Sequence, residues 1–181
     1  MNAKYPTTFL TLLAASLAGF SMATMPVQTA QAKAHHTLKS FPKSIRGTWY
    51  SYNSKSHRYF KTKITATKMS FDKSVYHLHS RKDLYGGKPW AKHKHPNWIV
   101  ADHATTITHE HFIHTYYWDQ GVGSGDYYQR TSNLLGGKYY PALHYVSGPE
   151  LWTMDYSYHS KKIAKKYANA KFEGDRYNPY W

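Results

Sequence analysis

Arg46–Ala66, RGTWYSYNSKSHRYFKTKITA, decides the fold of this 181-residue chain. In its second half Phe60, Thr62, Ile64 and Ala66 fall on one face, while Lys61, Lys63 and Thr65 fall on the other. Side chains alternate with period two along a strand, so this is a strand with one buried face. The first half places Trp49 between polar neighbours, and Asn53-Ser54-Lys55-Ser56 is turn chemistry. The two halves therefore predict an antiparallel hairpin.

Outward from that hairpin the same grammar continues. In Ser74–Arg81, Tyr76 and Leu78 oppose Val75, His77 and His79. Strand-like composition returns over Trp98–Asp102, Thr105–Trp118, Asp126–Thr131, Lys138–Val146 and Glu150–Tyr158. Glycine-rich breaks at Gly86-Gly87, Gly121–Gly125, Gly136-Gly137 and Gly148 separate these runs. Residues 82–97, with two prolines and four lysines, read as a loop. Seven to nine strands with frequent glycine turns predict a mainly β protein, an antiparallel barrel or sandwich. One helix is expected over about 160–172. Ser160 caps it, Ile163, Tyr167 and Ala170 form its apolar stripe, and lysines cover the rest. The tail Arg176–Trp181 is expected either to plug a barrel mouth or to hang free.

The first 34 residues read as a secretory leader: Lys4, then the apolar run Phe9–Ala23, then small residues at Ala30-Gln31-Ala32-Lys33-Ala34. Cleavage is expected after Ala34, with Ala32 as the alternative. The run is shorter than the ~20 residues of a membrane-spanning helix. A secreted or extracellular location follows, with retention at the cell wall as a variant of it. What remains is an irregular lead-in, 35–44, and a single domain, 45–181.

The whole chain carries 24 Lys and Arg against 10 Asp and Glu, a net charge of +14. The leader holds two lysines and no acid, so its removal leaves +12. All thirteen histidines are downstream of it, and imidazoles titrate near ~6.5. A polyanionic partner is expected: an anionic cell-wall polymer or acidic glycan, rather than nucleic acid. The carriers would be Lys88, Lys92 and Lys94 of the loop and Lys161, Lys162, Lys165 and Lys166 of the helix. There is no cysteine, so neither disulfides nor a lipid anchor on a leading cysteine is expected. The core must come from the 18 Tyr, 6 Trp and 7 Phe. A monomer without a transmembrane span is the simplest reading.

Phe41-Pro42-Lys43-Ser44-Ile45-Arg46-Gly47-Thr48-Trp49-Tyr50 is the most distinctive string. It resembles the opening of small secreted proteins of lactobacilli and related lactic acid bacteria. Gly125-Asp126-Tyr127-Tyr128, Glu150-Leu151-Trp152-Thr153 and Ser160–Tyr167 are similar to later segments of that group. The resemblance implies a surface or secreted location and implies no activity. Gly47-Thr48-Trp49 also resembles the G-x-W that opens lipocalin-like (calycin) barrels, where the Trp closes the barrel bottom. That likeness implies a barrel interior able to hold a small ligand, with Trp49, Phe60, Ile64 and Tyr76 lining it.

The histidines supply another candidate. His109 and His111 share a strand face, and so do His77 and His79, with His93 and His95 a third pair in the loop. Zinc takes imidazoles in tetrahedral sets, so His77, His79, His109 and His111 on neighbouring strands would form one. No other cofactor is expected. Catalytic patterns are missing: there is no G-x-S-x-G elbow, phosphate loop, dinucleotide fingerprint or H-E-x-x-H. Glu110, Asp119, Asp126 and Glu150 sit in no recognisable glycosidase or protease setting. A non-catalytic protein is expected.

Overall fold

The structure, a computed structural model, describes residues 37–81, 95–106, 109–118, 125–148 and 150–179. All of these belong to one compact unit, Ala32–Trp181. The strands are β1 (Gly47–Asn53), β2 (Arg58–Ile64), β3 (Lys68–Phe71), β4 (Ser74–Leu78), β5 (Trp98–Thr105), β6 (His111–Tyr117), β7 (Asp126–Leu135), β8 (Lys138–Ser147) and β9 (Trp152–Tyr158). Among the described residues a single α-helix, α1 (Lys161–Lys166), follows. The nine described strands close into a barrel in chain order, with β9 returning to β1.

The barrel is mixed rather than purely antiparallel. β4 and β5 run parallel, through His77↔Trp98 and Leu78↔Ile99, while every other neighbouring pair is antiparallel. Parallel neighbours need a connection of about a dozen residues or more. The stretch between Leu78 and Trp98 supplies that length. Past this short pairing the lead-in takes over the ladder, with the Leu38 N–H donating to the Ala101 carbonyl at 2.7 Å.

Local chemistry explains the hairpins. The Asn53 side chain accepts from the Ser56 N–H at 2.8 Å, so the first turn forms as its residues suggest. At the β7–β8 turn, Gly136 and Gly137 have φ of +56° and +79°. A two-residue turn that matches the twist of its strands needs positive φ at both central positions, which glycine adopts without strain.

One end of the barrel is shut. Phe41 donates its N–H to Ala66 at 2.8 Å, and a 3-10 turn at Lys43–Ile45 lays Ile45 inside, so Phe41 and Ile45 are almost wholly buried. The indole of Trp49 donates to the Ile45 carbonyl at 2.9 Å, and Arg46 Nε donates to the Phe41 carbonyl at 2.8 Å. Arg130 lies over the Trp49 ring at 5.5 Å, and His159 stacks on that ring at 3.8 Å. The lead-in thus forms part of the floor of the barrel through Phe41. Above it Ile64, Met69, Leu78, Ile99, Ile113 and Leu143 complete the core.

The seam between β1 and β9 is one rung wide, Tyr50↔Tyr158. It is covered from outside by α1 and its C-cap, where Ile163, Ala164 and the capping Tyr167 pack with Tyr50, Tyr52 and Tyr158. α1 is shorter than its composition suggests. Ser160 caps it, with Oγ accepting from the Ile163 N–H at 3.5 Å, but no acid sits in the first turn. Lys161 and Lys165, and Lys162 and Lys166, stand four apart, where like charges oppose the helix. Beyond Lys166 the chain unwinds, and Ala170 and Phe172 still reach the same wall. The tail then runs along the outside of β9, Arg176 accepting from the Thr153 N–H at 2.7 Å, rather than plugging the mouth. No helix among the described residues is long and apolar enough to cross a membrane.

Candidate binding site at the barrel mouth

Inward positions at the end opposite the floor are the last residues of β3, β6 and β8 and the first of β4, β5 and β7. They do not fill the space between them. A cavity of about 320 Å³ remains, bounded by Phe71, Tyr76, Tyr117, Asp126, Tyr128 and Tyr145 over a base that includes Met69 and Ile99. Ligand sites commonly combine an apolar bed with a few convergent polar groups, as here.

Asp126 opens β7 and is the one acid on this lining among the described residues. Tyr145 donates its hydroxyl to Oδ1 at 2.9 Å, and Ser147 donates to the same atom at 3.0 Å. The rings of Tyr128 and Tyr145 stack at 5.2 Å, and those of Tyr76 and Tyr117 meet edge-on at 6.0 Å. Burial, then the charge of Asp126, pushes the Tyr128 and Tyr145 phenols well above their ordinary range. The hydrogen bond with Tyr76 is the main cause of a raised Tyr117, with burial next. These phenols therefore stay protonated and available as donors throughout ordinary pH. Five tyrosines and one aspartate border the opening, and no Lys, Arg or His lines it among the described residues.

A second recess of about 440 Å³ follows the β1–β9 seam, where the strands part beyond their single rung; Ser51, Phe60, Asp155, Tyr156 and Tyr177 are on its lining. Asp155 takes hydrogen bonds from Ser51 and from Ser157, the latter at 3.2 Å, yet burial raises its carboxyl above the usual range. Across the tail, Asp175 accepts from the Tyr156 and Tyr177 hydroxyls at 2.8 and 2.7 Å.

Of the four residues expected to line the interior, Tyr76 borders the mouth cavity and Phe60 borders the seam recess. Trp49 and Ile64 lie in the packed core below, 1% and 2% exposed, and line neither space. The four histidines expected to converge do not. β5 lies between β4 and β6, so the two pairs are not on neighbouring strands. His77 is level with Trp98 and His111 with Thr105, seven residues apart along β5, or about 23 Å at ~3.3 Å per residue. Among the described residues no group of three or more His, Asp or Glu is placed to hold a metal ion. His79 instead stacks on Trp98 at 3.7 Å, as does His95 at 3.9 Å. Its pKa is lowered, by burial first and then by His77 and His95. His111 pairs with the Thr105 hydroxyl at 3.1 Å, and His109, just before β6, is exposed.

Lys161, Lys162, Lys165 and Lys166 are exposed on α1. The Lys161 ammonium lies 5.3 and 5.4 Å from the Tyr50 and Tyr59 rings, and Lys165 lies 5.5 Å from Tyr52. Lys88, Lys92 and Lys94 fall outside the described residues. The mouth residues Phe71, Tyr117, Asp126, Tyr128, Tyr145 and Ser147 were not legible as a set. Alternation marks which residues face inward but not which end of a barrel stays unfilled. The chain's composition gave one hint, a single acid opening the tyrosine-rich run Asp126–Thr131. Comparison with protein-family models, with curated proteins and with solved structures yields no match to this chain.

Proposed function

We propose that this chain is a secreted, non-catalytic, lipocalin-like carrier that holds one small, partly apolar molecule in the mouth of its barrel. The observation that carries this reading is the open cavity above a closed floor, with apolar bedding and hydroxyl and carboxylate groups converging at its rim. The G-x-W opening and the floor built on its Trp favour the carrier reading, and the leader-like N-terminus and the resemblance to secreted lactobacillal proteins favour the extracellular setting. The test is titration with N-phenyl-1-naphthylamine, a neutral dye that brightens in apolar surroundings. One dye per chain is expected, lost when Ser147→Phe fills the rim. Equal binding by both proteins would refute the reading.

A second reading, compatible with the first, uses the outer wall. The helix lysines anchor the protein to anionic wall polymer. It is favoured by the packing of four exposed lysines into six residues, with the Lys161 and Lys165 ammonium groups held against tyrosine rings. Exposed charges are screened over ~8 Å at physiological salt, so retention on teichoic acid should fall steeply as salt rises. Retention unchanged in molar salt, or unchanged by replacing all four lysines with Gln, would refute it.

A further inference from the structure

We propose that the ligand of the mouth is an organic cation: an amine or quaternary ammonium group on an apolar body, seated against Asp126 and the surrounding tyrosine rings. This inference rests on the carrier reading and narrows it to a ligand class. Three features of the site carry it.

First, the carboxylate is only half used. Both hydrogen bonds that the Asp126 carboxyl group accepts from described residues end on Oδ1, leaving Oδ2 with none from them. Tyr145 and Ser147 fix the group in place, and the remaining oxygen is the complement of a donor or positive charge brought by the ligand. Second, the walls are π systems. Tyr76, Tyr117, Tyr128, Tyr145 and Phe71 border the same cavity. Aromatic faces attract ammonium groups, most strongly where water is excluded, and rings gathered around one point are how proteins recognise quaternary ammonium. Third, the sign of the lining is opposite to that of the molecule. A chain of net charge +14 places a carboxylate and no basic side chain on this lining among its described residues. A cavity for a neutral lipid has no use for a carboxylate at its rim, since burying an unpaired charge is costly. A cavity for an anion would draw on the plentiful lysines.

The positive field of the surface opposes approach of a cation, but it is screened within about 8 Å at physiological salt. Recognition therefore depends on short-range contact inside the mouth. The apolar base, Met69 and Ile99, then takes the body of the ligand.

The test uses two molecules of the same shape, 3-hydroxyphenyltrimethylammonium and neutral 3-tert-butylphenol, titrated by calorimetry and by displacement of the naphthylamine dye. The cation is expected to bind at least ~10-fold more tightly than its isostere. Asp126→Asn should bring the two to near parity. Tyr117→Ala, at an exposed rim position, should weaken the cation by ~2–10-fold and the phenol less. The isostere comparison needs only the unaltered protein, so a variant that fails to fold does not spoil it. If the phenol displaces dye as well as or better than the cation, the cation proposal fails and the carrier reading stands. If the dye binds in the mouth and neither compound displaces it, the cation proposal again fails alone. If neither compound nor the dye binds, both fall.

Discussion

Replacing Trp49 with Phe tests whether the barrel floor is held by the indole. The Trp49 N–H donates to the Ile45 carbonyl at 2.9 Å, and both residues are 1% exposed. Phe leaves that buried acceptor without its partner, costing about 1–3 kcal/mol. The smaller ring also gives up part of the stack with His159 at 3.8 Å and offers Arg130, at 5.5 Å, a weaker π face, together worth about 1 kcal/mol. The total is roughly 2–4 kcal/mol, and at ~2–4 °C per kcal/mol for a domain of this size the melting temperature should fall by roughly 5–15 °C. Urea unfolding followed by far-UV circular dichroism gives the free energy, and a thermal scan gives the shift. Arg130→Gln alone should cost less than 1 kcal/mol and couple to Trp49→Phe, because the two side chains touch. Dye binding at the mouth should survive in the folded fraction, since the floor is at the opposite end. A loss below 1 kcal/mol with no coupling would show that the lead-in is held by other contacts and would refute this account of the floor.

Gly125→Ala should be the harshest single-methyl change at the mouth: a Cβ there meets the Thr115 carbonyl head-on and lies 2.5 Å from His114 Nε2, while His114 Nδ1 is 3.2 Å from Asp102. A loss of about 2–4 kcal/mol in urea unfolding, with weakened dye binding, is expected, and a neutral result would count against the cavity wall as described. His144, on β8, has its pKa lowered, mainly by burial. Its unfolded form therefore takes up a proton near ~6.5 before its folded form does, so stability holds above that pH and declines as pH falls from there to the folded pKa. Urea unfolding from pH 7.5 to 5 should show this decline, and His144→Gln should flatten it; an unchanged slope would sink the assignment. Asp155 is the opposite case: its raised carboxyl means that the folded state pays for ionisation above the folded pKa. Asp155→Asn, which keeps an oxygen for Ser51 and Ser157, should stabilise the protein at pH 7 and lose its advantage at or below ~3.8, whereas destabilisation at neutral pH would overturn this reading.

The hairpin of β1 and β2 was legible because every link in it is local: alternation, an Asn turn and a Trp on the inward face. The mouth was not, because it is made by Tyr145 and Ser147 of β8 meeting Asp126 of β7, with Tyr76 across the barrel. Nothing in the period-two pattern assigns partners at that distance. The β4–β5 junction was missed for a related reason. Strand composition carries no direction, and only the length of the connection hinted that a parallel pairing was possible. β3 escaped because four residues, Lys68–Phe71, are too few to display a period. The lead-in was legible only as irregular and polar, and nothing local marked Phe41 as the residue that joins Ile45 and Trp49 in shutting a barrel end. The helix stops at Lys166, short of the expected 172, because Ala and Lys propensity is opposed by repulsion between lysines one turn apart. His77, His79, His109 and His111 had the right spacing within each pair, and the interposed β5 made that spacing irrelevant.

The single rung at Tyr50↔Tyr158 has a consequence for how the molecule comes into being. β1 is among the first segments of the domain to leave the ribosome, and its partner β9, with the helix that braces the joint, is among the last. Eight strands, β1 to β8, can align edge to edge as they emerge, but the roll cannot be shut until β9 is out. Until then β1 stands as an open edge with unpaired backbone groups, the state in which a sheet is most prone to pair with a stranger. Closure is thus a late event that depends on the C-terminal segment. Loss of the residues after Ser157 would leave an open sheet with two exposed margins rather than a shorter barrel.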